Sequence, residues 1–250
     1  MNENPREVAL SLRDVEIAYR VVRPFSLLSF FKKDRKKSKL FHAVKGVSFD
    51  VYRGEIVGLV GKNGSGKSTL LRAIANIYSS DEGSINTYGN TVGLMAVGVG
   101  FVNELSGRDN IYLSGMLLGF SKKQVAERID DIIQFSGLAN FIEEPVRSYS
   151  SGMHSKLAFS ITAILEMDIM LVDETLSVGD RKFRKKSSGK MLELIRDENK
   201  TVLVVSHNTD VLENLCERVI WLDDGKIRME GDKETVLRAY EEFMDHTDND

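Results

Sequence analysis

The chain has 250 residues, 42% of them hydrophobic and 28% charged, which is enough apolar material for the core of one large domain. Its net charge of -3 argues against a general nucleic-acid-binding protein, which is usually basic. The single cysteine, Cys216, excludes an intrachain disulfide and is predicted to be a half-buried helix residue, and no apolar stretch is long enough for a membrane-spanning helix or a secretory signal.

Strand signals dominate the first part of the chain. Alternating apolar residues predict a strand over Val8 to Tyr19, and strand character returns at Val47 to Val51 and at Glu55 to Val60. A helix is predicted from Gly66 to about Ala75. An insert, residues 20–40, separates the first two strands.

The insert joins an apolar, aromatic half to a basic half. The aromatic half centres on Phe25, Phe30 and Phe31, and residues 32–39 contain six lysines and arginines. This pairing is typical of a segment that touches a membrane surface near anionic headgroups, so residues 25–40 are a candidate membrane contact. The basic half could equally face an anionic polymer. A solvated charged loop whose Phe and Leu residues pack on the domain is the other open interpretation.

Helical signals dominate the middle of the chain. Ser121 and Gln124 form a capping-box pattern, and the apolar spacing that follows predicts mostly helix over residues 105–165. The remaining predicted elements are the strand Ile169 to Val172, the helix Lys182 to Glu198, the strand Thr201 to Ser206, the helix Thr209 to Leu215, the hairpin Val219 to Met229 and the closing helix Lys233 to Met244. This alternation predicts an α/β core with a largely parallel sheet.

The strongest motif is a glycine-rich loop between a predicted strand and a predicted helix. Residues 61–69, GKNGSGKST, match the phosphate-binding pattern GxxxxGKS. Glycines let backbone N–H groups point at phosphate oxygens, and the helix N-terminus adds positive potential. Lys67 would reach the β- and γ-phosphates, and the Ser68 hydroxyl would bind Mg²⁺. The predicted nucleotide-binding residues of this loop are Gly61, Asn63, Gly64, Ser65, Gly66, Lys67, Ser68 and Thr69.

A second motif places two carboxylates at the end of a buried strand. Asp173 and Glu174 directly follow the apolar run Ile169 to Val172. Open α/β sheets bind ligands beyond the carboxyl ends of their strands. Asp173 suits Mg²⁺, through water, and Glu174 suits a general base that polarises the attacking water. Downstream of a phosphate-binding loop, this pair predicts a site of nucleotide hydrolysis.

Three further motifs carry a family resemblance. Residues 149–153, YSSGM, precede a helix and are similar to the signature of ABC ATPases, usually LSGGQ; residues 177–180 resemble their D-loop, and His207 resembles their switch histidine. The resemblance extends from about Val8 to Met244. It implies a single domain over residues 1–250 with a P-loop NTPase α/β core, an inserted helical subdomain at about 105–165 and an N-terminal antiparallel β subdomain.

The resemblance also implies how the site works. ABC ATPases form head-to-tail homodimers that enclose two ATP molecules with Mg²⁺. Ser150, Ser151 and Gly152 would therefore contact the ATP bound by the partner subunit, with Asp180 in the D-loop beside them. His207 would contact the γ-phosphate in its own subunit and, with Glu174, make up the catalytic residues.

The sequence departs from the family pattern in two places. No glutamine occurs between residues 80 and 123, where ABC proteins usually carry the Q-loop glutamine, and Asn103 or Glu104 are candidate replacements. The aromatic residue that stacks on adenine is expected at Tyr19. Because the insert separates Tyr19 from the rest of the motifs, Phe41 or His42 could take that role instead. The alternative interpretation of Tyr19 is an aromatic residue at a strand end that packs on the core.

The signature, residues 104–112 and residues 174–180 resemble a subfamily of ABC ATPases that export lipid-linked cell-surface polymers. Residues 157–161 and the D-loop look most like exporters of wall teichoic acid. Export of O-antigen or capsular polysaccharide is the alternative; many O-antigen members carry a further sugar-binding domain, which we do not expect here.

The resemblance implies an ATPase peripheral to the cell membrane, on its cytoplasmic side, with two copies of a separate transmembrane permease. A non-transport ABC ATPase is a remote alternative, since the coiled coil or second ATPase domain usual in those proteins is missing.

Overall fold

A computed structural model describes residues 6–20, 40–95, 100–173 and 179–247. Within these ranges the strands are β1 Val8–Arg20, β2 Leu40–Tyr52, β3 Ile56–Val60, β4 Glu82–Asn86, β5 Val92–Leu94, β6 Ile169–Val172, β7 Thr201–Val205, β8 Arg218–Asp223 and β9 Lys226–Asp232. The helices are α1 Lys67–Ile74, α2 Gly107–Leu117, α3 Lys122–Ser136, α4 Ser151–Leu165, α5 Arg181–Ile195, α6 Thr209–Leu215 and α7 Lys233–Thr247. Short 3₁₀ turns cover Ala139–Phe141 and Val146–Ser148.

Two sheets organise these elements. The first has the order β2-β1-β4 and is antiparallel, and the second has the order β5-β6-β7-β3-β8-β9. Within the second sheet only β9 pairs antiparallel, with β8. Strands β6 and β7 are buried at every residue, as expected for parallel strands covered on both faces. The predicted α/β class, with an N-terminal antiparallel sheet, is confirmed.

A partly buried ion pair joins the two sheets where β3 begins. The guanidinium group of Arg218 donates to both carboxylate oxygens of Glu55, at 2.8 and 2.9 Å, and to the carbonyl oxygen of Asp50 at 2.6 Å. Glu55 also accepts from the backbone N–H of Tyr52 at 2.9 Å. The two parallel hydrogen bonds from Arg218 and the bond from Tyr52 offset the free-energy cost of burying the Glu55 carboxylate. The start of β3 is thereby fixed against β2 and β8.

Helices α2, α3 and α4 pack on one another in the middle of the chain. The predicted capping box is confirmed: the hydroxyl of Ser121 accepts from the N–H of Gln124, and the Gln124 side chain accepts from the N–H of Ser121. Helix α3 ends at Gly137 in the left-handed region, at φ 67°. Over the described ranges, no helix combines the length and the apolar character needed to cross a bilayer.

Two predictions about elements were wrong, and two strands were not predicted. Cys216 lies after α6 in extended backbone, and its side chain is fully buried against Gly58 of the central strand β3. Strand β2 begins at Leu40, seven residues before Val47, because it pairs with β1 along its whole length. Strands β4 and β5 were not predicted, since Glu82–Asn86 is mostly exposed and lacks an apolar pattern.

Candidate functional site

The glycine-rich loop leaves the carboxyl end of β3 and enters α1. Gly66 caps α1 at φ 105°, and a side chain on it would collide with the carbonyl oxygen of Ala43. Gly61 is equally confined, since a Cβ atom there would meet the carbonyl oxygen of Leu222. Both positions require glycine because backbone from β2 and β8 lies directly against the loop.

Lys67 lies at the centre of this loop. Its side chain is buried, and Nζ donates to the carbonyl oxygens of Gly61 at 2.5 Å and of Lys62 at 2.9 Å. The ammonium group is therefore folded back over the loop that precedes α1. A cation in this position can meet phosphate oxygens that approach the helix N-terminus.

The turn between β8 and β9 braces the loop from outside. The N–H of Gly225 donates to the carbonyl oxygen of Ser65 at 3.0 Å, and its own carbonyl accepts from the N–H of Lys45 at 2.8 Å. Asp224 and Gly225 both have positive φ, at 45° and 79°, as a two-residue hairpin turn requires. The Ser65 hydroxyl is buried and has no hydrogen-bond partner among the described residues. The loop thus holds a buried polar atom that is available to a ligand, an ion or a water molecule.

Residues from three strand ends line one cavity of about 470 Å³. Lys67 and Ser68 follow β3, Asp173 follows β6, and His207 follows β7. Parallel neighbouring strands bring their carboxyl ends to the same edge of the sheet, which explains why residues so distant in sequence meet here. The arrangement can hold a phosphate chain between a cation, a hydroxyl, a carboxylate and an imidazole.

Ser68 and Asp173 fit a magnesium ion in chemistry. A hydroxyl and a carboxylate are the hard oxygen ligands that Mg²⁺ prefers, and it usually completes its shell with phosphate oxygens and water. Among the described residues, no three His, Cys, Asp or Glu side chains form a metal-binding group. Two protein ligands beside a phosphate-binding loop are enough, because phosphate oxygens and water supply the other ligands of Mg²⁺.

Aromatic residues from the antiparallel sheet complete the cavity. Tyr19 of β1 and Phe41 of β2 are direct partners in the strand register and both line the cavity. Directly opposed residues point to the same side of a sheet. The Tyr19 hydroxyl donates to Oγ1 of Thr69 at 3.3 Å, whereas the ring of Phe41 is half exposed. His42, the third candidate, pairs with Ala18 and is not among the residues that line the cavity.

The three signature residues lie at the start of helix α4, outside this cavity. Ser150 caps α4 and accepts from the N–H of Met153 at 3.3 Å, and Ser151 and Gly152 form the first turn of that helix. None of the three lines the cavity of Lys67. The two motifs are therefore not brought together within one copy of the chain.

Asp180 links the start of α5 to the signature helix. Its carboxylate caps α5 by accepting from the N–H of Phe183 at 2.9 Å, and it forms an ion pair with Lys156 of α4. The hydrogen bond from Lys156 lowers the pKa of Asp180 to about 2, with the N–H of Phe183 as the second cause. Asp180 is thus held as an anion beside α4.

Sequence reasoning missed Asn110, which organises the loop that carries the two candidate replacements for the Q-loop glutamine. Asn110 is fully buried; its Oδ1 accepts from the N–H of Val102 at 2.8 Å, and its Nδ2 donates to three carbonyl oxygens, those of Val102, Leu105 and Ser106. The loop leaves Asn103 and Glu104 exposed. Asn110 follows Arg108 and Asp109 in the polar first turn of α2, so the sequence gives no signal that sets it apart.

Some predicted residues lie outside the described part of the chain. These are Glu174, the first two residues of the D-loop, and the insert at residues 21–39. Their proposed roles stand on sequence alone.

Comparison with known proteins gives matches over most of the chain. A family model described as "ABC transporter" matches residues 44–177. The teichoic acids export ATP-binding protein TagH of Shouchella clausii is 39% identical over 241 residues, covering 96% of this chain and 66% of TagH. The O-antigen export system ATP-binding protein RfbB of Klebsiella pneumoniae is 39% identical over 229 residues, covering 92% of this chain and 89% of RfbB.

The chain spans 46% to 66% of the length of the TagH relatives that it matches. A solved dimeric ATP-binding cassette, bound to ADP and Pi in a post-hydrolysis state, superposes with a TM-score of 0.65 at 22% identity, covering 90% of this chain and 98% of that one. At 22% sequence identity, this similarity shows that the two chains share a fold.

Proposed function

Because the chain belongs to the ABC transporter family, we propose that it is the ATP-hydrolysing subunit of an exporter that moves lipid-linked wall teichoic acid across the cell membrane. The observation that carries the proposal is the meeting of Lys67, Ser68, Asp173 and His207 around one cavity. Phosphoryl transfer needs mainly positioning and charge stabilisation, and these four side chains supply both.

The residues of the cavity have separate roles in this mechanism. Lys67 leaves the carbonyl oxygens of Gly61 and Lys62 and binds the β- and γ-phosphates, while the N–H groups at the start of α1 hold the phosphate chain. Ser68 and Asp173 would hold Mg²⁺, which supplies charge neutralisation on the phosphates. Glu174 orients water for in-line attack, and His207 contacts the γ-phosphate. Tyr19, with Phe41 beside it, faces the adenine.

We propose that hydrolysis requires two copies of the chain. Ser150, Ser151 and Gly152 lie away from the cavity of their own copy, which is expected if they complete the site of a partner in a head-to-tail homodimer. Asp180, paired with Lys156, holds the D-loop against the signature helix in that arrangement. Closure of the dimer around two ATP molecules would move helices α2 to α4 against two copies of a separate permease.

The membrane association is proposed to be peripheral, on the cytoplasmic side, through the permease and through residues 25–40. A vesicle co-sedimentation assay tests the second contact. Replacing the basic residues 32–39 by glutamine should reduce binding to vesicles that contain anionic phospholipid, since each lysine or arginine contributes about 1 kcal/mol near such a surface. Equal binding by both forms would favour the solvated loop instead.

Two classes of exported polymer are candidates for the substrate. TagH and RfbB relatives match this chain at the same 39% identity, so export of O-antigen or another polysaccharide is the second candidate. The ATPase domain holds no cargo in the proposed mechanism, so its own site does not separate them.

The experiment that tests the function measures ATPase activity of the chain with its permease in liposomes. Stimulation by a lipid-linked polyol-phosphate polymer, and not by a lipid-linked neutral glycan, would support teichoic acid export. Stimulation by the neutral glycan would move the assignment to polysaccharide export. ATPase activity stimulated by DNA or ribosomes without any membrane protein would contradict transport altogether.

A further inference from the structure

Helix α7 touches the phosphate-binding loop beside the nucleotide cavity. A second cavity of about 620 Å³ lies between them, lined by Lys62 and His207 on one side and Tyr240 and Met244 on the other. Nζ of Lys62 is 4.6 Å from the ring centroid of Phe243. A cation at this distance is attracted by the negative face of the ring. The side chain of Lys62 is therefore held against α7.

The ring of Phe243 is itself fixed by the β8–β9 hairpin. It lies 5.2 Å from the ring of Trp221, and the guanidinium carbon of Arg228 is 4.0 Å from its centroid. Arg228 is held in place by Asp223 at 3.0 Å. The ring is thus a rigid support for Lys62.

Lys62 passes this constraint to the loop through its own backbone. Its carbonyl oxygen accepts from Nζ of Lys67 at 2.9 Å and from the N–H of Ser65 at 3.1 Å. The orientation of one peptide group therefore sets both the resting place of the Lys67 ammonium and the shape of the turn before α1. A contact that holds the Lys62 side chain restricts the orientations open to that peptide group.

We infer that Phe243 is a positioning residue for the nucleotide site and acts through Lys62. The inference rests on the proposed function, because it assigns Phe243 a role in holding the loop ready for ATP. The ring keeps the Lys62 peptide in the orientation that aligns Lys67 and Ser65 with incoming phosphates. Without it, the loop must be ordered each time that ATP binds, which weakens affinity.

The test compares substitutions that keep or remove the aromatic face. Phe243→Leu retains apolar packing against Trp221 but removes the attraction for Lys62, and it should raise the Kd for ATP about 2- to 5-fold. Phe243→Tyr keeps an aromatic face and should restore wild-type affinity. Glu242→Gln, on the exposed side of the same helix, is the matched control and should leave Kd unchanged. Equal Kd for the Leu and Tyr variants would overturn the inference.

A double-mutant cycle tests the route through Lys62. If Phe243 acts through Lys62, the variant that combines Phe243→Leu with Lys62→Met should bind ATP no more weakly than Lys62→Met alone. Additive losses would show that Phe243 acts by another path.

Hydrogen exchange of the nucleotide-free protein separates this inference from the proposed function. Phe243→Leu should speed deuterium uptake in residues 61–66, whereas Glu242→Gln should not. If the wild-type chain failed to bind ATP while this difference persisted, the proposed function would fall and the positioning contact would stand. If ATP bound normally and exchange were the same in all variants, only the inference would fail.

Discussion

Lys156 on the signature helix α4 forms an ion pair with Asp180, the residue that caps helix α5. The side chain of Lys156 also lies 5.5 Å from the ring of Phe183 on α5. These contacts join the part of the chain proposed to meet a partner's ATP with the D-loop proposed to lie next to the same interface. A change at either motif is therefore transmitted to the other through one lysine.

The first prediction concerns the pH dependence of this ion pair. Lys156 lowers the pKa of Asp180 to about 2, below its ordinary 3.8, so the pair stabilises the fold above about pH 4 and loses that effect as the pH falls towards 2. Asp180→Asn keeps a good helix cap but removes the charge, so it should lower the unfolding temperature equally at pH 7 and pH 5. The difference from wild type should shrink only below pH 4. Thermal unfolding followed by circular dichroism measures it, and a difference already lost at pH 5 would contradict the pairing.

The second prediction concerns Lys67. Lys67→Ala removes the ammonium group that would bind the phosphates, and loss of charged hydrogen bonds should weaken ATP binding about 10- to 100-fold. Equilibrium binding of a fluorescent ATP analogue measures the change. Lys190→Ala, which removes an ion pair with Glu193 on α5 and does not line the cavity, serves as the control for a lost lysine and should bind nearly as wild type. Unchanged affinity in the Lys67 variant would remove the nucleotide-binding assignment.

The third prediction concerns the proposed general base. Glu174→Gln should retain ATP binding, lower turnover about 10²- to 10⁴-fold, and accumulate a closed dimer with bound ATP. Steady-state ATPase assays and size-exclusion chromatography with ATP give the two readouts. Normal turnover would show that another residue activates the water.

The fourth prediction concerns Asn110. Asn110→Leu leaves the N–H of Val102 without its partner and removes one of two donors from each of three backbone carbonyl oxygens, so it should lower the free energy of unfolding by about 2 kcal/mol. Urea denaturation measures the loss. Asn103→Ala, on the exposed part of the same loop, should change stability by less than about 0.5 kcal/mol. Similar values for the two variants would show that the buried amide does not organise the loop.

The fifth prediction concerns the reactivity of Cys216. Burial raises the pKa of its thiol to about 12, so at pH 8 the reactive thiolate is about 1000-fold scarcer than for an ordinary cysteine. Alkylation by iodoacetamide, followed by mass spectrometry, should be slow in the native protein and fast in urea. While the protein stays folded, the rate should rise about tenfold per pH unit without levelling off below pH 12, because the thiolate fraction rises in that way below the pKa. Rapid native labelling at pH 8 would place the thiol at the surface.

The features that sequence reasoning captured are local in the chain. The loop at residues 61–69 carries its own glycines and lysine, and the apolar run before Asp173 ends where the sheet ends. Because parallel strands share an edge, two such local patterns predicted that Lys67 and Asp173 meet, and the family resemblance added His207 to them.

The features that it missed depend on partners far away in the chain. Strand β4 forms because Ser11 and Leu12 of β1 offer an open edge to residues 85 and 86. Cys216 follows a helical pattern but is drawn into the core beside Gly58 of β3. The contact of Phe243 with Lys62 joins the closing helix to the first third of the chain, and no spacing rule marks it.

The position of β3 between β7 and β8 has a consequence for how the chain is made. Residues 56–60 emerge from the ribosome early, yet both neighbours of this strand come from residues 201–223, and the brace from Gly225 comes later still. Closing such long loops is slow, and until they close the phosphate-binding loop lacks the backbone that shapes it. The nascent chain therefore carries an unformed nucleotide site through most of its synthesis, and competence to bind ATP should appear abruptly when the last strands are released.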